Sequence, residues 1–222
     1  MIFEEVTFKT HKLNELKSFY VQTLGLALLK EQEGSFTVAV GETNLTFIRT
    51  EDKDDRPSYH FAFNINESKF KLAKEYVSKR VTLLQEDSQD EFEFTDWNAH
   101  AFYFYDPSGN IVEYIARHSI KSISSDEFTN KDILCVSEVG LPVLDVANVA
   151  SLLQSEVNLP LWRGDGASFQ PIGDEHGLFI VVELERKWLP TNDKARIFPI
   201  TAKMKDNTKP FSVPHLPYQI YI

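Results

Sequence analysis

The sequence predicts an α+β fold made of βαβββ units whose sheets curve around a cleft. Three observations carry that prediction. Short stretches with the two-residue apolar period of half-buried strands recur along the chain. Between them fall single stretches with the three-and-four spacing of an amphipathic helix. The order strand, helix, strands also returns at a spacing of roughly 55 residues, so no copy buries its sheet face alone and the copies must pack together.

Residues 2–10 (IFEEVTFKT) read as the first strand, and Leu13, Leu16, Phe19 or Tyr20, and Leu24 then fall at helical spacing before Gly25 stops the helix. Strands at 26–30, 35–40 and 44–49 follow, the last two joined by a turn at Gly41-Glu42-Thr43-Asn44. The second unit opens with a strand at 59–65 (YHFAFNI). It continues with a helix face of Phe70, Ala73, Tyr76 and Val77 and a short strand at 81–85. It closes with HAFYFYDPSGNIVEYIAR, a hairpin turning at Asp106-Pro107-Ser108-Gly109-Asn110. The third opens at 137–144 (SEVGLPVL), passes through VANVASLLQSEVNLPLW, and ends in a hairpin over 167–182.

The copies align residue by residue. Glu5-Val6-Thr7-Phe8, His60-Phe61-Ala62-Phe63 and Glu138-Val139-Gly140-Leu141 each open a strand that leads into a helix. Leu45, Ile111 and Leu178 follow the hairpin turns in a second shared register. Residues 51–57 read as a polar connection and 119–131 as a polar linker. Beyond Pro190 only 196–202 and 218–222 have strand character, with no fourth helix. The expected organisation is a complete two-unit domain at 1–118, the linker, and an incomplete second domain at 132–222. That second domain would buttress the first, cover its cleft, or form a subunit interface such as a homodimer's.

With 42% hydrophobic residues, including 17 Phe, 8 Tyr and 3 Trp, the chain has ample material for a core. Lys plus Arg number 23 against 33 Asp plus Glu, a net charge of -10. That balance opposes a nucleic-acid partner, because the basic residues are interleaved with acidic ones on helix faces. The lone Cys135 lies among Ile133, Leu134 and Val136 and reads as a buried strand thiol. The absence of an apolar run of membrane-spanning length or a basic leader leads us to expect a cytoplasmic protein with no membrane partner. Nucleotide-phosphate loops, a GxSxG elbow and CxxC pairs are absent too.

Three motifs together resemble the vicinal oxygen chelate superfamily, which includes glyoxalase I, extradiol ring-cleaving dioxygenases and bleomycin resistance proteins. They are the LxxLxxFYxxxLGL run from Leu13 to Leu26, YHFAF from Tyr59 to Phe63, and FYFYDPSGNIVEY from Phe102 to Tyr114. The resemblance implies paired βαβββ units around a divalent metal held from the first strand of each unit and from a last strand. Carried onto this sequence, the ligands are Glu5, His60 and Glu113, with Phe47 at the place of a fourth. The set is closest to the dioxygenase pattern but departs from it at Glu5, where a second histidine is expected. Fe(II), Mn(II), Ni(II), Co(II) and Zn(II) are the candidate ions. The implied partner is a small molecule, aromatic in the dioxygenase case, with neighbouring oxygens.

The residues themselves allow two readings. Glu5 and Glu113 are either on solvated strand faces, with His60 a hydrogen-bonded core residue, or they share a cleft. Two carboxylates about 4 Å apart repel by roughly 4 kcal/mol at an effective dielectric of 20, which a proton or a shared cation relieves. The second reading predicts the donor atoms of Glu5, His60 and Glu113 within about 5 Å of one point. His100 and Tyr103 are candidate catalytic residues, for proton transfer or for hydrogen bonding a bound oxygen. Glu138 stands at a ligand position, but Ile180 occupies the place equivalent to Glu113, so no second centre is expected in the third unit. His11, His118 and the turn residue His176 read as structural or exposed. A non-catalytic binding module and a purely structural protein are the competing functions.

Overall fold

The computed structural model describes residues 1–52, 54–120, 127–205 and 209–221. Part of the expected connection (Lys53), of the expected linker (121–126), of the C-terminal loop (206–208) and of the last strand (Ile222) lies outside the described residues. The first unit forms β1 (Phe3–Thr10), α1 (Leu13–Ser18) extended by a π-helical turn (Phe19–Thr23), β2 (Leu28–Gln32), β3 (Ser35–Val40) and β4 (Thr43–Arg49). The second forms β5 (His60–Ile65), α2 (Phe70–Ser78), β6 (Phe92–Phe94), β7 (Ala99–Tyr105) and β8 (Ile111–Arg117). The third forms β9 (Ile133–Val143), α3 (Val146–Val157), β10 (Phe169–Asp174) and β11 (Gly177–Glu183), and the tail adds β12 (Ile200–Met204), β13 (Pro210–Ser212) and β14 (Tyr218–Tyr221).

The strand expected at 81–85 is reduced to a single bridge between Leu83 and Phe104. Asp87 and Ser88 adopt positive φ (50° and 66°), and that turn stops the ladder before β6 takes the edge beside β7.

The strands form two seven-stranded mixed sheets. One runs β13-β14-β12-β1-β4-β3-β2, the other β10-β11-β9-β5-β8-β7-β6. The first unit therefore shares its sheet with the C-terminal tail, and the second unit with the third. This differs from the expected pairing of units one and two, and β5 and β9, antiparallel neighbours, lie on opposite sides of the expected 119–131 boundary. The physical reason lies in β9, which is buried along nearly all of its eleven residues and so belongs in the middle of a sheet covered on both faces. The tail acts as a fourth unit without a helix: β12 lies antiparallel beside β1 as β9 does beside β5.

The two sheets share one core, in which Phe8 stacks on Phe61 (4.9 Å) and Phe3 meets Phe179 edge-on (5.1 Å). β1 alternates between buried and accessible residues, whereas all six residues of β5 and all seven of β8 are buried. The far face of the second sheet must therefore be covered by something other than the first sheet, and it is there that a cleft forms.

The β7–β8 hairpin is fixed by its turn. Gly109 takes φ +81°, and Asp106 accepts hydrogen bonds from the backbone of Ser108 (2.9 Å) and Asn110 (3.1 Å). Tyr20 donates to the same carboxylate at 2.8 Å, and burial pushes the Asp106 carboxyl up to about 6. This hairpin sets the places of Tyr103 and Glu113.

Candidate metal centre

The site is built from one row across the second sheet. Ala62 of β5 pairs with Glu113 of β8 on one side and with Glu138 of β9 on the other, and Glu113 pairs in turn with Tyr103 of β7. Neighbouring strands lie ~4.8 Å apart, so the two glutamates start roughly 10 Å from each other. The methyl of Ala62 leaves the middle open, and both carboxylates lean in over it. His60 joins from two residues along β5, on the same face. One donor atom from each of His60, Glu113 and Glu138 lies within 4.8 Å of the others, and all three residues are buried.

Their protonation follows from their contacts. His60 Nδ1 lies 3.2 Å from the Ile111 carbonyl, which only accepts, so Nδ1 carries the proton and Nε2 keeps a lone pair. Nε2 points at Glu113, 3.5 Å from Oε2. Burial lowers the His60 pKa to about 4, so the ring is neutral. Burial, and then the charge of Glu138, raise the Glu113 carboxyl well above the usual range, against the pull of Arg117. Burial also raises Glu138, while Arg117 draws it down through charge and a hydrogen bond. Tyr103 pairs across the sheet with Glu113, and burial with the two nearby carboxylates keeps its phenol protonated.

Arg117 lies under this group on the same face of β8 as Glu113. Its Nη2 forms an ion pair with Glu138, and its Nε donates to Asn64 at 3.2 Å. The guanidinium is 5.5 Å from the Trp97 ring, and Nη1 is buried without a hydrogen-bond partner.

A cleft of about 520 Å³ opens above His60, Glu113 and Glu138, walled by Phe94, Trp97, Phe169 and Trp188. Residues 184–195 fold over it as a loop after β11. Trp188 packs on His60 (ring centroids 4.8 Å apart) and lies so close to Gly140 that a Cβ there would be 2.9 Å from the indole. The glycine in β9 thus permits the aromatic cover.

The structure brings His60, Glu113 and Tyr103 together and leaves Glu5 and His100 elsewhere. Glu5 is exposed on β1, opposite Lys203 and Asn44 in the other sheet, because its strand pairs with the tail. Glu138 takes the place expected for it. His100 is three residues from Tyr103 on one strand and so faces the opposite side. It contacts Phe70 and sits 2.6 Å from His118, which in turn reaches Glu67. Phe47 is in the core, and the residue that pairs with Thr7 as Glu113 pairs with Ala62 is Thr46. Glu138 carried a sequence signal, its register with His60. Arg117 shares the odd-numbered face of β8 with Glu113, whereas nothing in the local sequence points to Trp188.

Residues 3–114, half of the chain, match the family model for the Glyoxalase/Bleomycin resistance protein/Dioxygenase superfamily, and the chain belongs to that superfamily. Among solved structures, a dioxygenase candidate from Bacillus subtilis subsp. subtilis str. 168 is similar with a TM-score of 0.66 at 15% identity, covering 100% of this chain and 84% of that one. A point mutant of glyoxalase I from Zea mays is similar with a TM-score of 0.61 at 13% identity, covering 99% of this chain and 92% of that one. A second point mutant of the same enzyme gives a TM-score of 0.59 at 13% identity, with the same coverage of 99% and 92%. At these identities the likeness is one of fold. No curated protein matches the sequence. Among the described residues no helix is long and apolar enough to cross a membrane.

Proposed function

We propose that this chain is a divalent-metal-dependent enzyme of the extradiol-dioxygenase or glyoxalase-like type, acting on a small molecule with neighbouring oxygens. The observation that carries the reading is the buried convergence of His60, Glu113 and Glu138 at the floor of an aromatic-walled cleft. The donor set fits a divalent ion: two carboxylates and a neutral imidazole whose Nε2 lone pair faces them. Ile180 stands where a fourth ligand would complete the symmetry of the second and third units, leaving that side for substrate or water. Within 4.8 Å of each other, two ionised carboxylates at an effective dielectric near 20 repel by roughly 3 kcal/mol or more, an opposition that a shared cation removes.

When bound, the ion supplies Lewis-acid stabilisation of charge developing on the substrate oxygens, with Fe(II), Mn(II), Ni(II), Co(II) and Zn(II) as the candidates. His60, Glu113 and Glu138 would hold it. Tyr103 keeps its proton and lines the cleft beside Glu113, where its hydroxyl is available to a substrate oxygen. Trp188 and the 184–195 loop exclude water from His60. His100, on the opposite face, is left out of the chemistry.

A second reading is favoured by Arg117. Its ion pair with Glu138 compensates one carboxylate without any metal, as a small-molecule binding protein with a vestigial centre would require. Metal analysis of protein purified without added metal separates the readings. Bound iron supports the oxygenase and nickel or zinc the isomerase. Occupancy below about one-tenth, with no uptake on reconstitution, removes both in favour of the binding protein.

A further inference from the structure

The charges in the cleft are unevenly disposed. On its floor lie the two carboxylates, backed by Arg117, and on its rim the 184–195 loop presents Arg186 and Lys187. The partners of those two cations are neutral: Arg186 donates to the Ser168 hydroxyl at 3.1 Å and lies 5.2 Å from the Phe169 ring, and Lys187 donates to the Asn192 side chain at 2.8 Å. Neither forms an ion pair among the described residues. In a chain of net charge -10, two cations without an acidic partner at the mouth of the aromatic-walled cleft run against the general trend.

Their positions are fixed from both sides. Trp188, next to Lys187, is seated on His60, Tyr105 donates to Asp193 at 2.6 Å, and backbone hydrogen bonds join Glu185 to Ala195 and Trp188 to Asp193. The rim is thus held over the floor. Glu86 is the remaining charged residue on the lining and contributes the opposing sign.

Once a divalent ion is bound, the charge count points the same way. A divalent ion held by two carboxylates is neutral overall, and the buried Arg117 beside them leaves a surplus of one positive charge. A charge in such surroundings calls for a counter-ion, and an anionic ligand brings one.

We propose that the substrate of this cleft is an anion: a flat molecule whose neighbouring oxygens meet the His60, Glu113 and Glu138 group and whose carboxylate is held by Arg186 and Lys187. This rests on the metal-dependent reading above. The aromatic walls accept the flat body, and a cleft of about 520 Å³ is large enough to enclose it.

The test is calorimetric titration of protein loaded with Zn(II), which supports no redox turnover. The probes are catechol, 3,4-dihydroxybenzoate and 3-(3,4-dihydroxyphenyl)propionate, which share the oxygen pair and differ in the presence and reach of a carboxylate. At least one acid binds about tenfold or more tightly than catechol, the effect of one charge-assisted hydrogen bond. The double variant Arg186→Gln with Lys187→Gln loses that preference while binding Zn(II) and catechol as the wild type does. Catechol binding as tightly as both acids, or a preference that survives in the variant, overturns the proposal and leaves the metal reading standing. Failure of the wild type to take up Zn(II) at all overturns both.

Discussion

The two sheets place equivalent residues in the same register, yet only one builds a buried polar site. In the second sheet His60, Glu113 and Glu138 converge over Ala62. At the matching places in the first sheet stand Glu5, Thr46 and Thr201, around Thr7. Glu5 is exposed, Thr46 is hydrogen bonded to Thr37 (2.8 Å), and Lys203 of the neighbouring strand pairs with Glu4 at 2.7 Å. Register supplies positions, and cover supplies chemistry. The second sheet's face is closed by Trp97, Trp188 and their loops, which take the carboxylates out of water. The first sheet's face stays solvated, where a lone carboxylate costs nothing and attracts nothing.

The largest effect separating the two faces is expected at Glu138. Glu138→Gln leaves Arg117 buried without its partner and destabilises the protein by about 3–5 kcal/mol in urea unfolding. Adding Arg117→Gln restores a large share of that loss. Glu5→Gln stays within about 0.5 kcal/mol of wild type. A cost at Glu138 no greater than at Glu5 would erase the distinction between the faces.

Metal binding comes next. Glu113→Gln keeps the shape of a side chain whose carboxyl already favours its neutral form, so stability changes little. It nevertheless removes a ligand, whose loss exceeds the ~10–100-fold affinity cost of losing an outer-shell partner. Calorimetry with Zn(II) reads this directly, and Glu5→Gln again leaves the affinity unchanged.

The pH dependence of stability adds a third contrast, since the first sheet has no histidine at the equivalent place. The folded pKa of His60 is depressed from 6.5 to about 4. The unfolded chain therefore takes up the proton first, and stability present above pH 6.5 is lost as the pH falls towards 4, by at most about 3 kcal/mol. His60→Gln flattens that part of the unfolding profile. An unchanged slope means that the ring is solvated.

A last contrast concerns the open middle of the row. Ala62→Leu fills the space over which the glutamates lean, costs about 1–3 kcal/mol by overpacking, and blocks metal uptake with every ligand in place. Thr7→Leu at the matching place of the first sheet changes stability by less than about 0.5 kcal/mol. Metal uptake by Ala62→Leu at wild-type affinity would put the ion somewhere else.

The sequence carried most of the strands, the helices and the unit order, because periodicity is local, but it placed a strand at 81–85 that is only a bridge and missed the three-residue strands β6 and β13. It carried His60 and Glu113 because the first-strand and post-turn registers could be aligned. Choosing between Glu5 and Glu138 required knowing which first strands are neighbours, and a repeat offers every copy the same edge. The long apolar run of β9, ILCVSEVGLPV, was the clue that this strand is central. Two misplacements were matters of parity. His100 and Tyr103, three apart on a strand, cannot share a face, and a one-residue shift moves the role from Phe47 to Thr46. Trp188 arrives from a loop after β11, and no local pattern shows where such a loop folds back.

The metal-dependent reading of the cleft, and the anionic substrate that rests on it, depend on one ion being held between the second and third units, and anomalous diffraction from crystals soaked in Zn(II) locates that ion. A peak is expected about 2.0–2.2 Å from His60 Nε2 and from one oxygen each of Glu113 and Glu138. A cleft with no peak there, or a peak at Glu5 instead, would refute the assignment.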